Sequence, residues 1–437
     1  MQTRVSIATS RQPGGCKVAA ILLTVLVILS RYAAPASAQW TQWGGPNRDF
    51  VCDTTKLADA WPQDGPHQVW SREIGGGHSS ILVDGGTLYT MCRREGEKDA
   101  VLALLATSGE TVWETRYDAP VKPDMAVDFG AGPHSTPLIV GDRIFAIGGM
   151  VQFHCLDKHT GKILWYHDLM EEMGASDMLR GYGASPIAYD DLIIVGCGAG
   201  GGQPGVGLAA FKQETGKVAW RNEELSAGFA SPILVKFNGE DHLIVGLGTA
   251  RAGLDPATGQ VRWRTDVDAQ SAMIITTPLW IEPDLLFCSA SYGGGTRLFK
   301  LGFDEGKYHV EELWHYRKMQ VAHGTIARVG DVVYASSHGS FSPAILTAID
   351  LKSGKPLWRQ RSLTKSNVLY ADGKFILLDE EGNLALGTAT STGMVIHSQA
   401  KVLERLSWTA PTLVGARLYL RDHHTIKCLD LSPAADN

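Results

Sequence analysis

Short apolar runs and polar breaks recur along this chain in a fixed order. A run opening on small polar residues comes first: "HSSILV" (78–83), "HSTPLIV" (134–140), "ASPIAY" (184–189), "ASPILV" (230–235), "TTPLWI" (276–281), "GTIARV" (324–329), "SNVLYA" (366–371) and "TAPTLV" (409–414). A second run follows each, as in "TLYTMC" (87–92), "RIFAIGG" (143–149) and "KFILLDE" (374–380). A third, such as "LALLA" (102–106) or "LAAFK" (208–212), leads into a fourth. The runs are rich in Val, Ile, Leu, Phe and Tyr, are broken by Gly-containing pairs, and nowhere sustain a helical period. They predict β-strands.

The fourth run ends on a large residue. Trp70, Trp113, Trp165, Trp220, Trp263, Trp314, Trp358 and His397 close the eight copies, most of them four residues after a Gly. Four strands per unit at roughly 40–50 residues is the pattern of a β-propeller blade. The first copy, "HQVW" (67–70), has no preceding strands, and the last set has no Trp strand after it. The two incomplete ends complete one another. The expected fold is therefore all-β: an eight-bladed propeller closed by an N-terminal outer strand, or seven-bladed if 366–402 is irregular. Thr-Gly between strands is hairpin chemistry, because Gly takes a positive φ without a Cβ penalty. A Trp at the same place on every outer strand is expected to cover the seam between blades.

Residues 1–38 read differently. Arg4, Arg11 and Lys17 precede a short apolar run, "VAAILLTVLVIL" (18–29), and "APASA" follows. This is a signal-peptide pattern, with cleavage expected after Ala38, and no Cys follows the run to carry a lipid. The run is shorter than the roughly 20 apolar residues a membrane span needs. The expectation is a periplasmic or secreted protein whose propeller fills 39–437, with no membrane insertion after cleavage. The leader holds four basic and no acidic residues, so the formal charge moves from −6 to about −10 without it. With no basic run interleaved with aromatics, nucleic acid is an unsuitable partner. Cys52, Cys92, Cys155, Cys197, Cys288 and Cys428 are scattered, and five lie in or beside apolar runs. They are expected as buried thiols, and their disulfide state stays open.

"DKHTGKILW", "KQETGKVAW" and "DLKSGKPLW", with the "ASPI" and "TAPT" starts, resemble the repeats of pyrroloquinoline-quinone (PQQ)-type propellers. That group holds quinoprotein alcohol dehydrogenases and BamB-like exported propellers. "WTQWGGPNRD" (40–49) is similar to the start of such exported proteins, and the resemblance covers essentially all of 40–432. It implies the fold, but fold alone does not assign chemistry. The dehydrogenases carry two adjacent cysteines against the quinone ring and hold Ca²⁺ with carboxylates and an amide. This sequence has no Cys-Cys pair. Its acidic stretches "EEMGASD" (171–177) and "DEEGN" (379–383) read as solvated loops.

In a propeller, the loops leading into the innermost strands share one face with those between the second and third strands. Here they carry His78, His134, Tyr182 and His323, then Arg251, His338 and His423, all expected at one rim. The long segments 117–133 and 167–181 are expected over the same face. The histidines come from different blades without close metal-ligand spacing, so no metal site is expected. "GCGAGGGQPGVG" (196–207) lacks the Lys-Ser/Thr of a phosphate loop and reads as a blade loop. The expectation is a monomeric, non-catalytic propeller binding a protein or small molecule at the rim, with no cofactor and no catalytic residues. The alternative is a PQQ- and calcium-dependent dehydrogenase oxidising an alcohol or sugar.

Overall fold

Strand alternation along each repeat leaves one ribbon of four antiparallel strands per unit, apolar on both faces. In the computed structural model, each ribbon buries both faces against its neighbours. The structure describes residues 39–54, 56–123, 125–175, 180–197, 206–226, 228–247, 250–266, 273–337, 344–361 and 363–434. They form eight sheets, one per blade, each running from an innermost to an outer strand. The first blade, Leu82–Asp84, Thr87–Arg94, Lys98–Leu105 and Thr111–Asp118, sets the pattern. The seventh, Ser366–Ala371 through Met394–Lys401, is as regular as the others, so the propeller has eight blades. In the eighth, the outer strand is His67–Glu73, antiparallel to Thr425–Asp430. Among the described residues no helix is long and apolar enough to cross a membrane. The six cysteines among the described residues are free thiols, five of them buried and Cys52 half-buried.

The Gly-x-x-x-Trp repeat acts across blades. Each outer strand but the seventh carries a one-residue bulge just before its Trp, as at Val112 between Thr111 and Trp113, which turns the indole toward the next blade. The Trp113 Nε1–H donates to the Lys158 carbonyl of the second blade at 3.0 Å. Trp70, Trp165, Trp220, Trp314 and Trp358 donate in the same way to Ala106, Gln213, Pro256, Leu351 and Thr390, at 2.8–3.1 Å. The accepting turn also supplies the Gly under the ring. A Cβ on Gly161 would lie 2.5 Å from the Trp113 ring, and its φ is +71°. Trp263 is buried, but its Nε1 finds no acceptor. The blade it faces carries a longer hairpin, Gly295–Asp304 with Lys307–Tyr316, in place of the four-residue turn.

His397 does not stand in the Trp column. In the seventh blade the bulge lies one residue further from the turn, so His397 is the bulged residue and Ser398 takes the Trp position, opposite Leu386. The gap is filled from elsewhere. Trp61, buried in the cluster shared with Leu403 and Leu413, receives a hydrogen bond from Ser398 Oγ to its carbonyl and donates its N–H back.

Residues 40–52 run across the axial channel. Trp40 bridges Val83 of the first blade, and the Thr41 carbonyl accepts from Ile139 of the second. Val51–Cys52 then pairs in parallel with the innermost strand of the seventh blade, Val51 opposite Tyr370. Val83, Ile139 and Tyr370 each lie beside the turn joining the first and second strands of their blade. The segment therefore closes that end of the channel.

Candidate functional site

At the other end the channel opens as a pocket of about 500 Å³. All eight loops leading into innermost strands contribute walls: His78; Phe129 and His134; Arg180; Phe229 and Ser231; Met273 and Ile275 to Thr277; His323; Lys365; and Trp408. Trp43, Arg48 and Phe50 of the crossing segment supply the floor. Trp43 is held there by donation from Nε1 to Thr277 Oγ1 at 2.9 Å. Arg48 and Phe50 both have left-handed backbone (φ +57° and +58°), and Gly44 is packed so closely against the Arg48 backbone that a Cβ would lie 2.7 Å from it. This tight fold turns Arg48 back into the channel, where it is 5% exposed.

The rim centres on Trp408. His323 stacks on it at 4.5 Å with planes 9° apart, and His78 and Phe129 lie 5.3 and 4.7 Å away. Trp408 Nε1–H donates to Glu380, whose carboxylate also pairs with Lys365 at 3.2 Å. His78 stacks on His134 at 5.4 Å and touches His423 at 5.1 Å. Burial holds His134 and His423 down at about 4, and burial with the neighbouring His134 holds His78 well below its ordinary value. These rings are neutral near pH 7.

The structure sorts the expected rim residues. His78, His134 and His323 line the pocket, and His423 stands behind His78. Tyr182 does not reach it. Its ring is 1% exposed in the core between the second and third blades, and its hydroxyl accepts the Gly196 N–H. Arg251 is likewise no rim residue. It is 1% exposed, its guanidinium over the Phe299 ring between the fourth and fifth blades, because its strand position points sideways into the seam. His338 lies outside the described residues. Arg48, Phe129, Lys365 and Trp408 were not singled out by sequence. Trp408 alone carried a usable signal, a Trp outside the repeat column and directly before a first strand.

The lining has a clear chemical character. It is aromatic, it bears Arg48, Arg180 and Lys365, and among the described lining residues there is no Asp or Glu. Ca²⁺ needs several oxygen ligands, commonly carboxylates. This donor set does not fit a calcium-held quinone. Among the described residues no three His, Cys, Asp or Glu side chains are arranged to hold a metal.

Comparison with known proteins agrees with the blade geometry. Residues 97–360 match the profile of the family described as outer membrane protein assembly factor BamB. The chain belongs to this family. BamB from Yersinia pestis is 24% identical over 306 residues, 66% of this chain and 72% of the relative. BamB from Salmonella typhimurium is 34% identical over a shorter stretch of 94 residues, 22% of each chain. The solved BamB from Moraxella catarrhalis superposes with a TM-score of 0.58 at 17% identity, covering 85% of this chain and all but 2% of its own. A quinohemoprotein alcohol dehydrogenase from Comamonas testosteroni gives 0.68 at 15%, covering 93% and 82%. At such identities the structural likeness shows the eight-bladed PQQ-like fold and leaves the chemistry to the pocket.

Proposed function

We propose that this member of the BamB family is an exported binding propeller with no redox chemistry of its own, and that its recognition site is the axial pocket. The observation that carries this is the lining: aromatic rings and cations gathered from all eight blades, with no carboxylate among the described residues to hold calcium. Concave, largely apolar pockets with a few converging polar groups are where proteins bind small organic ligands. The leader pattern of residues 1–38 supports export. The relatives named as assembly factors support a role in binding rather than turnover.

The test is titration of purified 39–437 with PQQ and Ca²⁺, followed optically and by calorimetry, beside an assay for dye-linked alcohol oxidation. The expected result is no calcium-dependent quinone binding and no turnover. Calcium-dependent binding with oxidation of an alcohol or sugar overturns the proposal in favour of a quinone-dependent dehydrogenase.

A further inference from the structure

One loop reaches across the mouth of the pocket. Among the described residues between the outer strand Thr111–Asp118 and the innermost strand Leu138–Val140 there is no helix or strand. The two ends of this stretch are fixed. Ala119 donates its N–H to the Glu97 carbonyl at 2.8 Å and its carbonyl accepts from Arg93 Nη1 at 2.6 Å, while the Pro133 carbonyl accepts the His78 N–H at 2.9 Å. Between them the described backbone bonds are two local turns, Met125 to Lys122 and Gly130 to Val127, and one bond to the propeller, from His78 Nε2 to the Phe129 carbonyl at 3.1 Å. Backbone held by so few bonds opens locally, far below the cost of global unfolding. Side chains seat it instead. Phe129 lies 4.7 Å from Trp408 of the loop into the eighth blade, and the guanidinium of Arg180, from the loop into the third, stands 5.3 Å over the same Phe129 ring. Arg180 also pairs with Asp128 at 3.5 Å, but both are well exposed, so that pair adds little. Gly130, at φ +95°, lies so close to His423 that a Cβ would stand 2.1 Å from Nε2. Ala126, Phe129 and Gly130 face the pocket, and Val127 is exposed.

We infer that residues 125–130 are a lid on the axial pocket, moving between the fixed points Ala119 and Pro133 and closed in this structure by the Phe129–Trp408 contact and the His78 latch. Gly130 is the seat, because a side chain there would push the span off His423. The lid covers the side of the mouth between the loops into the eighth and third blades. A ligand passes that side only when Phe129 lifts, and the returning lid then covers it. This inference rests on the pocket being the recognition site, whatever molecule it takes.

The test needs no ligand. In the intact propeller 39–437, hydrogen exchange read by mass spectrometry should show the amides of 125–130 exchanging on the order of a hundredfold faster than those of the middle strand Lys98–Leu105. Access is read at Gly183, which lines the pocket. A Cβ there meets Phe229 and His134 at 3.7 and 3.8 Å, ordinary contact distances, so Gly183→Cys fits. The native thiols compete poorly, since five are buried and burial pushes Cys52 up to about 12. N-ethylmaleimide should modify Gly183→Cys on the order of tenfold faster once Phe129→Ala is added, the scale of one lost aromatic contact. Adding Gly130→Ala instead should also speed the reaction. Exchange of 125–130 no faster than that of Lys98–Leu105, or equal labelling with and without Phe129→Ala, overturns the inference. The exchange comparison stands even if a variant fails to fold. Failure here is distinct from failure of the binding-propeller reading, which falls to calcium-dependent alcohol oxidation however the lid moves.

Discussion

The His323 ring lies on the Trp408 indole, centroids 4.5 Å apart and planes 9° apart, although the two come from the loops leading into the sixth and eighth blades. The stack joins opposite sides of the pocket mouth through one aromatic surface, since Trp408 also touches Phe129 and His78. A flat ligand meets that surface first. Trp408→Ala should weaken an aromatic probe such as 2-naphthoate by about tenfold, the scale of one lost stacking partner with its buried area. Fluorescence titration of the variant checks this. Unchanged affinity would place the ring of the ligand elsewhere.

The seams between blades should be sensitive to both halves of the repeat. A methyl at Gly161 would press on the Trp113 ring in a backbone conformation that favours Gly. Gly161→Ala should therefore lower the denaturation midpoint through both strain and lost packing. Trp165→Ala removes an indole packed on Phe153 and Phe211 and should cost about 3–5 kcal/mol. Urea unfolding of each variant gives the measurement, and wild-type midpoints would remove the docking role.

Repetition explains what could be read from sequence. Blade number, strand order and the Trp positions recur at fixed spacing, so each copy supports the others. Spacing from Gly393 puts His397 in the Trp column because it cannot show that the bulge moves by one residue. The pocket floor was hidden for a different reason. Arg48 and Trp43 lie in a segment that repeats nothing, and Trp43 meets its partner Thr277 across 234 residues of chain. Tyr182 and Arg251 sit at loop and strand positions that count toward the rim. Their direction is decided by packing between blades, against the Gly196 amide and the Phe299 ring.

Trp263 offers a comparison within the repeat. Its indole N–H is buried without an acceptor, whereas that of Trp220 donates to Pro256 at 3.1 Å. Replacing either with Phe keeps most of the ring. Only Trp220→Phe loses a hydrogen bond and strands a carbonyl, so it should cost about 1 kcal/mol more than Trp263→Phe. Equal losses in urea unfolding would show that the Trp220 bond contributes nothing net.

Trp61 stands where the seventh blade lacks its Trp. Trp61→Ala should destabilise by an amount comparable to Trp165→Ala, about 3–5 kcal/mol, because it opens the seam between the seventh and eighth blades. His397→Trp should give no gain, since His397 is the bulged residue and bonds Thr388 at 2.9 Å. A large stabilisation by His397→Trp would restore it to the Trp column.

Acid should loosen the propeller well above the range where exposed carboxylates titrate. Burial holds His134, His154, His242 and His423 at about 4 and His78 well below its ordinary value. In the unfolded chain each returns to about 6.5. The unfolded state therefore binds more protons between about pH 6.5 and 4, and stability falls as pH falls through that window. Asp99 opposes the trend. Burial raises it to about 6 against its partner Arg93, so the fold keeps a proton that the unfolded chain releases, and its contribution to stability grows as pH falls. Burial raises Asp49 as well, and five histidines against these two carboxylates leave the histidine sign in control. A fully buried neutral histidine contributes a slope of up to about 1.4 kcal/mol per pH unit. The urea midpoint should drop from pH 7 to pH 5. His154, set between Tyr117 and Tyr166, is the best single probe, and His154→Phe should flatten the dependence. A midpoint that is level or rises toward pH 5 would mean that the folded protein takes up protons at these rings as readily as the unfolded chain.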